Sequence, residues 1–250
     1  CGGGQLPCVN MAVFVDDEPV FRYSTGYADV ATKKKASLDT IFRIFSMTKC
    51  ITSTALMILF ERGHINLDDD ISKYIPEFAN VQVYKTGTSL SNLESMRARG
   101  PVTIRHLMTH TSGLTYGMWG EHPMEKIYQE HLYTDTWLFD YTLEELVKKL
   151  AQLPLLFHPG DHFTYGLSVD VLGYIIQVVS GVSYMDFVKK EILLPLGMKD
   201  TGLYVPKSKV NRVATLYSTG EANGFGLTPD ADVVQARGLG ELPNLHMPGG

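Results

Sequence analysis

The chain has 250 residues, of which 44% are hydrophobic and 20% are charged, as expected for a globular protein that buries its core in one large domain or two interleaved lobes. Its 22 basic and 27 acidic side chains give a formal net charge of −5, and no run of like charges suggests a nucleic-acid partner. No apolar stretch approaches the roughly 18 to 20 residues of a transmembrane helix, so no transmembrane segment is expected.

The chain begins with Cys1, which three glycines follow, and its other cysteines are Cys8 and Cys50. This odd number, without zinc-type spacing, predicts neither a disulfide framework nor a metal site. We expect no metal or organic cofactor. Cys1 fits the lipidated first residue of a bacterial lipoprotein in the periplasm or at the cell surface, but a cloning boundary explains it equally well and the cytoplasm stays open.

The first predicted element is a hairpin with strands at 11–15 and 20–23, because apolar runs flank the acidic and proline residues of 16–19. A helix is predicted from Ser46 to about 62–63, where a glycine suits the helix C-terminus. The three aspartates that follow lack the alternating spacing of a calcium loop, so they are predicted to cap a helical turn.

Residues 79–100, rich in Ser, Thr, Asn and Gly, are predicted to form a surface loop. Four further helices and one strand are predicted later in the chain: helices at 101–108, 142–152, 168–180 and 183–194, and a strand at 213–217. Loops such as 115–140 carry aromatic residues that either line a substrate cleft or pack in ordinary positions: Tyr116, Trp119, Tyr133 and Trp137.

The order of these elements predicts two lobes. A hairpin, a long helical stretch and a return to strand-like sequence suggest a helical lobe, 46–200, inserted into a sheet-containing lobe formed by 1–45 and 201–250. The fold class is therefore α/β plus all-α, and the cleft between the lobes is the expected substrate site.

Ser46 and Lys49 form a Ser-x-x-Lys motif at the start of an apolar helix. Residues three apart share one face of a helix, so the Ser46 hydroxyl and the Lys49 amine can meet. A partly desolvated lysine can take the proton of a serine hydroxyl and make it a nucleophile. The alternative interpretation is a solvated cap next to a surface lysine.

Tyr165 lies in a turn-rich segment after Pro159 and Gly160 and is the candidate third group of the site. A cationic Lys49 next to it would stabilise the phenolate, and the residue could then relay protons. Tyr165 could equally be a packed tyrosine with an ordinary hydrogen bond, and the spacing alone leaves both interpretations open.

An ordered set of motifs resembles the serine β-lactamase-like hydrolases, which include class C β-lactamases, penicillin-binding peptidases and family VIII esterases. The motifs are Phe42–Lys49, Leu67–Asp69, Tyr74–Phe78, Thr103–Leu114, Pro159–Gly160 with Tyr165, and Pro195–Met198. The resemblance implies the β-lactamase/transpeptidase-like fold, an antiparallel sheet lobe with an inserted helical lobe. It also implies Ser46 as the acylated nucleophile, Lys49 as its proton acceptor and Tyr165 as the opening residue of the second motif; His110 to Leu114 are interpreted as structural.

The sequence departs from this family in two places. Class C enzymes have an asparagine two residues after the tyrosine, where this chain has Leu167, and Ser168 is the candidate to replace its substrate contact or to cap the next helix. The third motif is not found after Tyr165: Lys85-Thr86-Gly87 precedes it and is interpreted as a coincidence, and His246–Gly249 does not match. We therefore expect C-terminal strands to be missing, and a further segment or a second chain to complete the sheet.

The sequence thus predicts a serine hydrolase that works through an acyl-enzyme, with a small-molecule ester or amide as its substrate. Leu167 cannot replace a polar contact, which disfavours β-lactams and favours short-chain carboxylic esters. Two alternatives stay open: a D-amino-acid peptidase, amidase or weak β-lactamase, and a non-catalytic binding or assembly protein that keeps the fold.

Overall fold

The computed structural model describes residues 6–118, 120–133, 141–220 and 226–229. Cys1, Trp119, Trp137 and His246–Gly249, which the sequence analysis singled out, lie outside the described residues. The chain divides into two compact units, Cys1–Arg43 with Tyr204–Leu242 and Ile44–Leu203 with Pro243–Gly250.

The described strands lie mainly near the two ends of the chain, and most of the helices lie between them. The strands are β1 (Cys8–Val15), β2 (Glu18–Asp29), β3 (Lys34–Lys35), β4 (Gln82–Thr86), β5 (Glu94–Arg97), β6 (Tyr217–Gly220) and β7 (Gly226–Pro229). The α-helices are α1 (Thr48–Glu61), α2 (Ile104–Met108), α3 (Pro123–Leu132), α4 (Leu143–Leu150), α5 (Ser168–Ser180) and α6 (Tyr184–Val188).

The first unit contains an antiparallel sheet in the order β1-β2-β3. Asp16 and Asp17 join β1 to β2 with φ of 49° and 64°, and two residues of positive φ are the geometry that matches the twist of a tight hairpin. The predicted hairpin is confirmed, with longer strands than expected. Apolar side chains of both strands are exposed, including Phe14 at 56% and Val20 at 60%.

The strand predicted at 213–217 is wrong in its bounds. Strand β6 begins at Tyr217 and pairs with β7, whereas Val213 makes only an isolated parallel bridge with Ile41. Ile41 accepts a backbone hydrogen bond from Ala214 at 2.9 Å, and Ala28 accepts one from Thr215 at 2.8 Å, so this segment makes single backbone contacts but no regular strand.

The second unit is mainly helical, and α5 lies at its centre. Helix α5 packs against α1, α2, α4 and α6, and its residues Ser168–Ile176 are all buried. Thr52 of α1 and Tyr184 of α6 share a buried hydrogen bond of 2.7 Å between their hydroxyls. The predicted helices 142–152, 168–180 and 183–194 are confirmed, with bounds that differ by two residues or fewer at each end. The last of them is α6 followed by a π-helical turn at Lys189–Leu193.

Two predicted loops contain regular structure. The segment 79–100 holds the hairpin of β4 and β5, because Val83 is buried and bridges the distant Leu155. The segment 115–140 holds α3, which begins with Pro123 at its first position and a His122 side-chain cap. The β4–β5 hairpin depends on a contact with a distant part of the chain, and α3 begins with a histidine cap, which is unusual.

Helix ends follow ordinary capping chemistry. Gly63 has a φ of +73° after α1, and its N–H donates to the carbonyl of Phe60 while that of His64 donates to Leu59, as in a Schellman motif. Thr103 accepts the N–H of His106 at the start of α2. The predicted C-terminal end of α1 is therefore confirmed, whereas α2 begins at Ile104, three residues after the predicted start at 101.

Within the described residues, no helix alone has both the length and the apolar character to cross a membrane. Ser168–Ser180 and Tyr184–Leu193 meet these criteria only as a pair that is bent by 80°.

Candidate active site

Ser46 lies in a short 3₁₀ turn, Phe45–Met47, directly before α1. The predicted helix start at Ser46 is therefore two residues early, since α1 begins at Thr48. Phe45 has a φ of +44°, in the left-handed region, and such strained residues often occur at functional sites. The 3₁₀ turn leaves the Ser46 side chain exposed, so its hydroxyl is accessible from solvent.

Lys49 lies in the first turn of α1, and its amine approaches three hydroxyl groups. Its Nζ is 3.3 Å from Ser46 Oγ and 2.9 Å from the hydroxyl of Tyr116. It also lies 4.7 Å from the centre of the Tyr165 ring, and a hydrogen bond with Lys49 is one cause of the lowered pKa of the Tyr165 hydroxyl. The structure thus brings together the three residues that the sequence singled out for catalysis.

The Tyr165 hydroxyl is electrostatically coupled to Ser46 and Lys49. Burial alone would raise the pKa of this phenol, but hydrogen bonds with Lys49 and Ser46 and the charge of Lys49 outweigh burial, and the pKa is lowered. The carboxylate of Asp170 on α5 opposes this effect. The site therefore makes proton loss from Tyr165 easier than from an ordinary tyrosine.

Tyr116 is the site residue whose role the sequence analysis missed. The sequence marks it only as one of several aromatic residues in 115–140, yet its hydroxyl is 2.9 Å from Lys49 Nζ, closer than Ser46 Oγ at 3.3 Å. Gly113 and Gly117, with φ of +89° and +78°, flank it, and Tyr133 donates a hydrogen bond of 2.8 Å to its carbonyl. The two flanking glycines mark a tightly turned segment, and that signal could have directed attention to Tyr116.

His110 is a buried residue beside Tyr165, and its imidazole is neutral at neutral pH. Burial, together with the smaller effect of the charge of Lys49, lowers its pKa to about 4. Its ring centre is 4.8 Å from that of Tyr165, at an angle of 38°. His110 therefore contacts a proposed catalytic residue, although the sequence analysis interpreted it as structural.

Leu167 and Ser168, the candidate substrate-binding residues, do not reach the surface. Both are 0% exposed, and the Ser168 hydroxyl is 2.8 Å from that of Ser112. Ser168 is the first residue of α5 and not its cap, since Leu167 takes the cap position without a side-chain hydrogen bond. A substrate contact by either side chain is excluded in this structure because the apolar start of α5 is packed inside the unit.

The three aspartates 68–70 have partners within the protein. Asp68 accepts hydrogen bonds of 2.7 Å and 3.0 Å from Arg105, and Asp69 accepts the backbone N–H of Asn66. Asp70 caps the following turn by accepting the N–H of Ser72. Across the described parts of the chain, no group of three or more His, Cys, Asp or Glu side chains has the arrangement of a metal site.

Comparison with known proteins gives relatives that are longer than this chain. Protein Rv1367c of Mycobacterium tuberculosis is 36% identical over 224 residues, which cover 88% of this chain and 53% of that protein. Esterase EstB of Burkholderia gladioli is 31% identical over 224 residues, covering 89% and 53%. The chain thus spans about half the length of these curated relatives.

A solved structure has the same fold. EstCE1, described as a hydrolase with promiscuous acyltransferase activity, superposes with a TM-score of 0.76 at 26% identity, covering 99% of this chain and 64% of that one. The beta-lactamase family model matches residues 2–241. The β-lactamase/transpeptidase-like fold expected from the sequence is confirmed, and the chain belongs to the beta-lactamase family.

Proposed function

We propose that this chain carries the nucleophile of a serine hydrolase that works through an acyl-enzyme and cleaves short-chain carboxylic esters. One observation carries the proposal: Lys49 Nζ lies within hydrogen-bonding distance of Ser46 Oγ and of the Tyr116 hydroxyl, and 4.7 Å from the centre of the Tyr165 ring. A hydroxyl held beside an amine and a phenol is the arrangement that activates serine for nucleophilic attack.

In the first step, Ser46 Oγ attacks the ester carbonyl carbon while the Lys49 amine takes the hydroxyl proton. This requires that the Lys49 and Tyr165 pair has lost one proton, and a lowered phenol pKa makes that form more populated near neutral pH. Tyr116 holds the amine through its hydroxyl, at 2.9 Å.

In the second step, the tetrahedral intermediate collapses and the carbon–oxygen bond to the alcohol breaks. Tyr165 gives its phenolic proton to the departing alkoxide, and Lys49 returns the proton taken from Ser46 to Tyr165. Water then attacks the acyl carbonyl carbon and gives one proton to the same pair. The bond between this carbon and Ser46 Oγ breaks, the pair passes the proton to Ser46 Oγ, and the carboxylic acid leaves.

Two observations support an ester substrate over a β-lactam. Leu167 stands where class C enzymes have the asparagine that contacts the amide side chain, and it is fully buried. A β-lactam or amide would thus lack a polar contact that such substrates use, which typically costs a few kcal/mol. The relative EstB is named an esterase.

The proposal is tested with p-nitrophenyl acetate and the Ser46→Ala variant. We expect turnover to fall to the rate of the uncatalysed reaction, and unchanged turnover would overturn the proposal. Acylation by a fluorescent penicillin in place of ester turnover would favour a peptidase or β-lactamase. No acylation by esters, lactams or fluorophosphonates would favour a non-catalytic binding protein.

A further inference from the structure

We propose, on the basis of the function proposed above, that His110 is a positioning residue that fixes Tyr165 beside Lys49 by holding the backbone on both sides of it. The carbonyl of His110 accepts the N–H of Thr164 at 2.8 Å. The imidazole Nδ1 of the same residue accepts the N–H of Gly166 at 3.4 Å. One residue therefore anchors both neighbours of Tyr165.

The imidazole ring also restricts the Tyr165 side chain directly. The two ring centres are 4.8 Å apart, and the His110 ring has a second aromatic contact with Phe163, at 5.9 Å. His110 is only 9% exposed. A buried ring held between neighbours leaves little room for Tyr165 to turn away from Lys49.

The backbone of His110 gives an independent reason to look for a role of its side chain. His110 follows Thr109, the C-cap of α2, with a φ of +54°. Its N–H donates to Leu107 and that of Thr111 donates to His106, which is the Schellman pattern that normally has glycine at this position. A residue with a side chain is strained in this left-handed conformation.

Glycine takes the left-handed position at the ends of two other helices, as Gly63 after α1 and Gly181 after α5. At the end of α2 the chain instead places an imidazole, although glycine would relieve the strain. The contacts with Tyr165 and Gly166 account for this choice, because glycine could make neither of them.

The neutral state of His110 is part of this role. Its burial, together with the nearby charge of Lys49, keeps the imidazole neutral at neutral pH. In the tautomer with its proton on Nε2, Nδ1 has a lone pair to accept from Gly166. A protonated ring would lose this acceptor and place a second cation near Lys49. The other charged group that affects the Tyr165 phenol is Asp170 of α5.

The experiment is a double-mutant cycle between His110→Gly and Tyr165→Phe, with an ethyl ester and a p-nitrophenyl ester as substrates. We expect H110G to lower kcat for the ethyl ester by about 10²-fold, as a misplaced catalytic group does, and to lower it less for the p-nitrophenyl ester, whose leaving group needs no proton. In the Y165F background, H110G should have no further effect.

Two other variants complete the design. Asparagine tolerates the left-handed backbone and offers an amide oxygen to the Gly166 N–H, so His110→Asn should have a higher kcat than H110G. If H110G does not fold, H110N replaces it in the double-mutant cycle, because H110N also lacks the imidazole ring. The exposed His64, replaced by Asn, is the control for loss of an imidazole. Fully multiplicative losses in H110G and Y165F would overturn the proposal.

A readout that needs no turnover separates this proposal from the proposed function. NMR of isotope-labelled tyrosine, with Tyr165 assigned by its absence in Y165F, follows the titration of its phenol. We expect the Tyr165 pKa to rise toward its ordinary value in H110G, and an unchanged pKa would overturn the positioning role. Failure of Ser46 to become acylated in the parent protein would contradict only the proposed function.

Discussion

Lys49 Nζ lies 2.9 Å from the hydroxyl of Tyr116 and 3.3 Å from Ser46 Oγ, so its nearer partner is a tyrosine outside the Ser-x-x-Lys motif. Tyr116 lies 67 residues away from Lys49 in the sequence. The amine that we propose as the proton acceptor is therefore held by a loop of the helical unit as well as by its own helix.

Tyr116→Phe tests this loop contact. The variant keeps the ring but removes the hydroxyl that bonds with Lys49, and hydrogen bonds to charged groups contribute about 1.5–3 kcal/mol. We expect kcat/KM for p-nitrophenyl acetate to fall by about 10- to 150-fold. Tyr84→Phe is the matched control, because its hydroxyl bonds with the Gly87 carbonyl within the β4–β5 hairpin; an equal loss in both variants would contradict a specific role for Tyr116.

Tyr165→Phe should affect substrates according to their leaving group. An alkoxide must be protonated as it departs, whereas p-nitrophenolate is stable without a proton. We expect kcat to fall by about 10²- to 10⁴-fold for an ethyl ester, the range of general acid–base catalysis, and by less for the p-nitrophenyl ester of the same acid. Steady-state kinetics with both esters provide the measurement, and equal losses would show that Tyr165 does not protonate the leaving group.

The pH dependence of kcat/KM should have an ascending limb that reports proton loss from the Lys49 and Tyr165 pair. Because hydrogen bonds with Lys49 and Ser46 outweigh burial and lower the phenol pKa, the midpoint should lie below the value of about 10 of an ordinary tyrosine. Activity is then present above this midpoint and is lost as the pH falls through it. A pH profile in Y165F should show the limb at higher pH, and an unshifted limb would assign it to another group.

Gly166→Ala should destabilise the segment that carries Tyr165. A Cβ at this position would meet the backbone oxygen of Leu114 at 2.3 Å, and overpacking of this kind costs about 1–3 kcal/mol. Chemical denaturation measures the free energy of unfolding. Gly100→Ala is the control, since its Cβ would have open space, and its effect should stay within about 0.5 kcal/mol; equal effects would contradict the tight approach at Gly166.

Local rules were sufficient for much of the fold and for part of the candidate site. The Ser46 and Lys49 spacing predicted their approach because three residues span about one helical turn, and Thr142 with Glu145 form a capping box that marks the start of α4. These features depend on neighbours in the sequence.

Long-range contacts account for what the sequence could not predict. Strand β4 forms in a polar segment because Val83 pairs with Leu155, and Tyr116 reaches Lys49 only through the folding of a loop onto α1. The burial of Leu167 and Ser168 likewise follows from the packing of α5 in the helical unit. The contacts of Val83, Leu167 and Ser168 leave no periodic or spacing signal in the sequence, and at Tyr116 the nearby glycines mark a turn but not its contact with Lys49.

The most direct test of the central claim is to identify the residue that becomes acylated. The protein is mixed with a fluorophosphonate or an activated ester and digested, and the modified peptide is located by mass spectrometry. Ser53→Ala in α1, seven residues after Ser46, is the matched control for Ser46→Ala. The account predicts one label per chain on Ser46, retained in S53A and absent in S46A. Labelling of another residue, or equal labelling of S46A, would contradict it.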